Sequence, residues 1–244
     1  MGRVGAAVVT AAFFNFEPGM VARAVPGCWE VVAPATLCRV RATAAAEALG
    51  ELCGTAARSS LVGALPLLRR AVAGCRTEGR VLAAANATLW PAVATAPGAG
   101  GLGEAWQACT TLREHRGDGH VAALVCAGLS GTEAHLLAAA TKGIASEVLR
   151  ESRGWSAQAW GSATAALCRR GLLHVDGRAT DFGRTLSAEV EARTDRLAEP
   201  ATVGLSDGAL EDLYGALLAG AAEVAATGVI PYPNPMGLPP PPSP

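Results

Sequence analysis

Lysine is nearly absent from this chain: of 20 basic residues, only Lys142 is not arginine. That bias, together with abundant Ala and Gly, marks a GC-rich coding sequence and carries no chemistry of its own. No charge of one sign dominates. The net charge is −1, which gives no support to a polyanion-binding surface on the scale of the whole chain. Aromatic residues make up 5%, so each Trp and Phe needs a location. The seven cysteines (Cys28, Cys38, Cys53, Cys75, Cys109, Cys126, Cys168) include no C-x-x-C pair. An odd, unpatterned set with no export signal reads as reduced, buried thiols in a cytoplasmic protein, and its spacing supplies no zinc site. No dinucleotide-binding glycine motif, P-loop or nucleophile elbow occurs, so no cofactor is expected. Gly98–Gly103 is glycine-rich but lacks the Lys-Ser/Thr that a phosphate cradle requires. The apolar stretch Val4–Phe16 is too short to span a bilayer and has no cleavage pattern, so no membrane is expected as a partner.

What is present is a 244-residue chain, 50% hydrophobic, with few β-branched runs. It reads as mainly α, an N-terminal helical domain followed by a winged helix-turn-helix with a two-stranded wing. The expected boundaries are 1–130 for the helical domain, 131–200 for the winged domain, 201–229 for a C-terminal helix and 230–244 for a disordered Pro-rich tail. Within the first domain, Val4–Phe16 is expected to be a buried helix and Ala35–Leu52 an amphipathic one. Leu61–Cys75 reads as a single helix with Pro66 in its first turn, and Thr95–Gly103 as a flexible loop. Thr132 and Asp207 are the expected caps of later helices.

The winged portion is the most specific pattern. Ile144–Arg153 forms a short helix, Gly154-Trp155 breaks it, and Ser156 caps a second helix ending at Gly171. Leu172–Val175 and Arg178–Thr180 flank an Asp176-Gly177 turn, and a third helix, capped by Asp181 or Thr180 and with Phe182, Leu186, Val190 and Leu197 on one face, follows. These segments, with Val8–Pro34, Ala85–Pro91 and Thr111–His135, resemble an actinobacterial family of helix-turn-helix proteins. Members of that family carry a further N-terminal segment, so Met1 is expected to fall inside the family pattern, through a late start or the loss of a helix. The winged portion also resembles the MarR-like regulators, in which the second helix of the motif enters the major groove.

Arg113-Glu114-His115-Arg116-Gly117-Asp118-Gly119-His120 is the densest chemistry, with six ionisable side chains in eight residues. Gly117 and Gly119 suggest a sharp turn that aims side chains into a cavity. In the leading reading, an apolar small molecule binds in the helical domain, held by Arg113, Glu114, His115, Arg116, Asp118 and His120 at its polar end. Phe13, Phe16, Trp90 and Trp106 then form its apolar walls. Asn15, Glu17 and Asn86, beside these aromatics, hint at a lined pocket. His115, Asp118 and His120 are the catalytic candidates if the protein is a cofactor-independent lyase or cyclase. A bland turn with mutually paired charges is the competing reading, and no metal site is expected.

A ligand-responsive MarR-like regulator is the other alternative. It would read DNA through Gln158, Ser162, Arg169, Arg170 and Arg178. From Ala145 to Ala198 eight positive residues face seven negative ones, so sequence-specific retardation at near-physiological salt is not expected unless a homodimer concentrates the field.

Overall fold

The computed structural model describes residues 2–90, 100–232 and 234–242. Short helices α1 (Ala6–Phe13), α2 (Pro18–Ala22) and α3 (Cys28–Val31) lead into α4 (Pro34–Leu52), which Pro34 starts at a position where no N–H is needed. α5 (Thr55–Gly63) and α6 (Leu65–Gly74) follow, so the stretch read as one helix from Leu61 is broken at Ala64. α7 (Val81–Ala87) precedes α8 (Gly100–Cys126), the longest helix. α8 packs against α4, α5, α6 and α7 on one side of the molecule. Its first half puts Ala105 and Ala108 into a core with Leu65, Leu68, Leu205 and Leu213.

α8 turns by 100° into α9 (Gly131–Lys142). Ser130, not Thr132, caps α9 through a reciprocal box with Glu133. α10 (Ser146–Ser152) and α11 (Ala157–Arg169) form the helix-turn-helix, and α12 (Asp181–Ala198) follows. Ser156 and Thr180 cap α11 and α12 as the sequence indicates. The core of this unit reaches back into the second half of α8, joining Ala123 and Leu124 to Leu149, Trp160, Leu167 and Val190. α13 (Asp207–Ala226), capped by Ser206 rather than Asp207, packs back on α5.

Several expectations are corrected. The two-stranded wing is not formed. The Asp176-Gly177 turn exists, with Gly177 at φ +82, but Leu173 and Ala179 make only one isolated antiparallel bridge, and the described residues contain no strand. Val175 and Arg178 at its tip are exposed, so no apolar face is available to hold a longer ladder. α1 has no buried residue although it is apolar, because only α2 packs closely on it. Gly100–Gly103 is helical, and the rest of the expected Thr95–Gly103 loop lies outside the described residues. The Pro-rich stretch, expected to be free, touches the helix-turn-helix: Asn234 is buried and the Pro235 carbonyl accepts from Arg153 at 3.4 Å. No single helix among the described residues is long and apolar enough to cross a membrane.

Gly183 shows how tightly the wing root is fitted. A Cβ there would lie 2.1 Å from the Leu172 carbonyl oxygen, which is backbone and cannot swing away. Gly183→Ala should therefore lower stability by about 2 kcal/mol through overpacking. Urea denaturation checks this, and an unchanged midpoint would mean that α12 shifts freely against the wing root.

Candidate functional site

The polar motif is not a turn. Arg113 to His120 lies wholly within α8, and a helix spreads neighbouring side chains around its circumference instead of converging them. Gly117 and Gly119 are helical despite a helix cost of about 1 kcal/mol each. Gly119 has a packing reason: a Cβ there would lie 2.9 Å from Arg80 Nη1 and 3.1 Å from Leu197 Cβ.

One face of the motif meets α7. Asp118 accepts from the Ala83 N–H at 2.9 Å, with the Leu82 N–H alongside, and so satisfies the first turn of α7. Burial raises its pKa, while those two N–H groups and then Arg80 oppose the rise. Arg80, itself buried, donates to the His115 carbonyl and at 2.7 Å to the Leu197 carbonyl, tying α7, α8 and α12 together. His115 is 1% exposed, its Nε2 has no partner, and burial, then Arg80, lowers its pKa.

The opposite face meets α12. Arg116 pairs with Glu191 at 2.9 Å and Asp195 at 3.0 Å, and Lys142 reaches Glu191 at 2.7 Å. His120 Nδ1 lies 2.9 Å from Thr194 Oγ1, which donates onward to the Val190 carbonyl at 2.8 Å. Arg113 pairs with Glu114, whose carboxyl is pushed up by burial and held back by Arg113. Of the catalytic candidates, His115 and Asp118 thus lie toward α7 and Arg80, while His120 meets α12. The space nearest them is a cleft of about 40 Å³ lined by His120, Leu124, Leu137, Ser187 and Val190, with room for water.

The aromatics are dispersed. Phe13 is exposed and meets Phe16 edge-on at 6.0 Å, while Phe16 supports the Arg153 guanidinium at 4.7 Å, on the helix-turn-helix side. Trp90 packs against the core around Leu65 and Leu68. Trp106 carries Arg41 at 4.8 Å. Glu17 caps α2, and the Asn15 carbonyl accepts from Trp155 Nε1. Asn86 joins a polar network with Gln107 and Arg41.

Sequence reading missed Arg41, Arg80 and Gln107. A signal for Gln107 existed: Gln107, Thr111 and His115 recur every fourth residue along α8 and are all 1% exposed or less, a polar seam on a buried face. Nothing local marked Arg80, whose partners are carbonyls contributed by two other helices.

The helix-turn-helix surface is differently built. Trp160 faces inward at 8% exposure, donates to Ser146 Oγ at 3.0 Å and stacks on His135. It therefore lies on the core side of α11 and not on its outer face. Gln158, Gly161, Ser162, Ala165 and Arg169 share the exposed face of α11. Arg170 bends back to the Gly128 carbonyl at 3.0 Å and to Glu133 at 3.3 Å, and Arg178 pairs with Asp176 at 2.8 Å. A two-helix motif with a capped second helix, packed on a third and followed by a turn-and-helix, defines a helix-turn-helix protein. In agreement, a helix-turn-helix family matches residues 1–231, and the chain belongs to that family. No curated protein and no solved structure matches it.

Proposed function

We infer that the chain is a DNA-binding regulator that acts through its helix-turn-helix, with two copies on one site. The supporting observation is the outer face of α11. Gln158, Ser162 and Arg169 stand exposed along it, separated by Gly161 and Ala165, which are small enough to let the helix enter a groove. The core-facing side of the same helix is filled by Trp160 and Leu167, so the motif is rigidly presented. Of Arg169, Arg170 and Arg178, Arg169 alone has no ion pair among the described residues, so one copy supplies a weak field and affinity depends on pairing.

An apolar molecule enclosed in the helical domain has less support. Ligand cavities measure about 300 Å³ or more, whereas the cleft beside His120 is about 40 Å³ and the depression at Asp195, Arg196 and Thr202 opens to solvent. A lyase or cyclase using His115, Asp118 and His120 lacks a shared reaction centre for the same reason.

Titrating the protein against its own upstream region and an unrelated duplex, in low and near-physiological salt, tests the regulator reading. Micromolar, length-dependent binding is expected at low salt, with a shallow slope of about two to four phosphates per dimer. Gln158→Ala should erase the preference between duplexes, and Arg169→Ala should weaken both alike. Absence of binding at low salt, with the protein folded, would remove this reading.

A further inference from the structure

The seam between α4, α7 and the first half of α8 holds more polar chemistry than a helix contact requires. The exposed Arg41 guanidinium lies over Trp106 at 4.8 Å, and its Nη2 donates to Asn86 Oδ1 at 3.2 Å and Gln107 Oε1 at 3.4 Å. Behind it, Gln107 Nε2 donates to the Asn86 carbonyl at 3.0 Å and to Asn86 Oδ1 at 3.3 Å, and Asn86 Nδ2 donates to the Leu82 carbonyl at 2.9 Å. Two carboxamides, 8% and 1% exposed, therefore direct their oxygens at one guanidinium.

That arrangement orients a positive charge without cancelling it. Some arginines that tie helices are met by a carboxylate, as Arg69 is by Glu104 at 2.7 Å and Arg116 by Glu191, while the buried Arg80 is met by carbonyls alone. Arg41 forms no such pair among the described residues, and its partners are neutral amides and an aromatic face. Glu114 feels the Arg41 charge but is already paired with Arg113. Trp106, Thr110 and Glu114 recur every fourth residue on α8, so this stripe runs for about 12 Å. Arg113 and Glu114 close its far end, which sets the scale of a small molecule rather than a polymer.

We propose that the Arg41–Trp106 seam binds a small organic acid through its oxyanion, carboxylate or phosphate, on the free edge of the Arg41 fork. A guanidinium matches either group with two parallel donors, and Trp106, Asn86 and Gln107 hold its plane before the ligand arrives. This site stands apart from the regulator reading, because the acid is bound by the α4–α7–α8 seam and not by the helix-turn-helix.

Calorimetric titration of the full chain with benzoate and, separately, with inorganic phosphate tests this without DNA. Saturable one-to-one binding of at least one probe is expected, and the probe that binds identifies the anion. Arg41→Gln should weaken it by about tenfold or more, the loss expected for one charge-assisted bond. Arg41→Lys, which keeps the charge but not the fork, should recover only part. Arg39→Gln, on the same helix and bonded only to Thr36, should bind as the wild type does. If Arg41→Gln fails to fold, the Arg41→Lys titration decides. Failure of both probes to saturate the wild type would overturn the proposal, and so would Arg41 variants that bind as tightly as the wild type. Loss of DNA binding with intact acid binding would count only against the regulator reading.

Discussion

Asp118→Ala is expected to lower the unfolding free energy by about 3 kcal/mol, the combined effect of a lost charged bond and a buried N–H left unpaired. Asp118 reaches from α8 to the Ala83 N–H at 2.9 Å, where the start of α7 has no side-chain cap of its own. α7 has seven residues, too few to be helical without outside support. Asp118→Asn keeps an acceptor oxygen at the same place and should cost only about 1 kcal/mol, since the bond remains but loses its charge. Arg80→Ala should resemble the alanine variant, because it releases the His115 and Leu197 carbonyls together. Urea denaturation with an unchanged m-value checks the series. A loss below about 0.5 kcal/mol for Asp118→Ala, the range of an ordinary surface change, would show that the motif is not a helix tie and would reopen a ligand role for it.

Much of the fold was legible because its signals are local. Ser156 and Thr180 cap the helices that the sequence assigned to them, and Gly177 takes the positive φ that an Asp-Gly turn invites. The helix-turn-helix character drawn from the residues agrees with the family match. The errors share one physical origin, which is that tertiary packing overrode a local preference. Gly117 and Gly119 looked like a turn, but α8 continues through them, and Gly119 lets Arg80 and Leu197 pack close against the helix. Once that stretch is helical, six neighbouring ionisable groups cannot converge: Asp118 goes to α7, Arg116 and His120 go to α12, and Arg113 and Glu114 pair with each other. The wing was read from turn chemistry, which fixes the turn but not the ladder; a single Leu173–Ala179 bridge remains. Arg41 was illegible for another reason: its significance lies in Trp106 and Gln107, more than sixty residues away in sequence.

Acidification should destabilise the helix-turn-helix, and His135 should carry the largest single share. His135 is 7% exposed, stacks on Trp160, and has its pKa lowered to about 4, first by burial and then by the Arg153 charge. The Asn15 backbone opposes that shift only in part. Because the folded pKa lies below the unfolded value of about 6.5, the unfolded chain binds a proton that the folded chain refuses. Stability is complete above about pH 6.5, falls as the pH drops toward 4, and levels off below it; at about 1.4 kcal/mol per pKa unit the loss is about 3 kcal/mol. His115 and His120, also lowered by burial, act in the same direction. Asp118 and Glu114, raised by burial, act in the opposite one, because their folded forms take up protons more readily, so the net curve differs from the His135 share. A difference curve isolates that share: the pH dependence of unfolding in the wild type minus that in His135→Gln. The variant should lose stability at pH 7 through poorer packing on Trp160, yet the gap should shrink as the pH falls toward 4. A gap that stays constant from pH 7 to pH 4 would mean that His135 takes up its proton without disturbing the fold, and that the contact between α9 and α11 is not sensitive to charge.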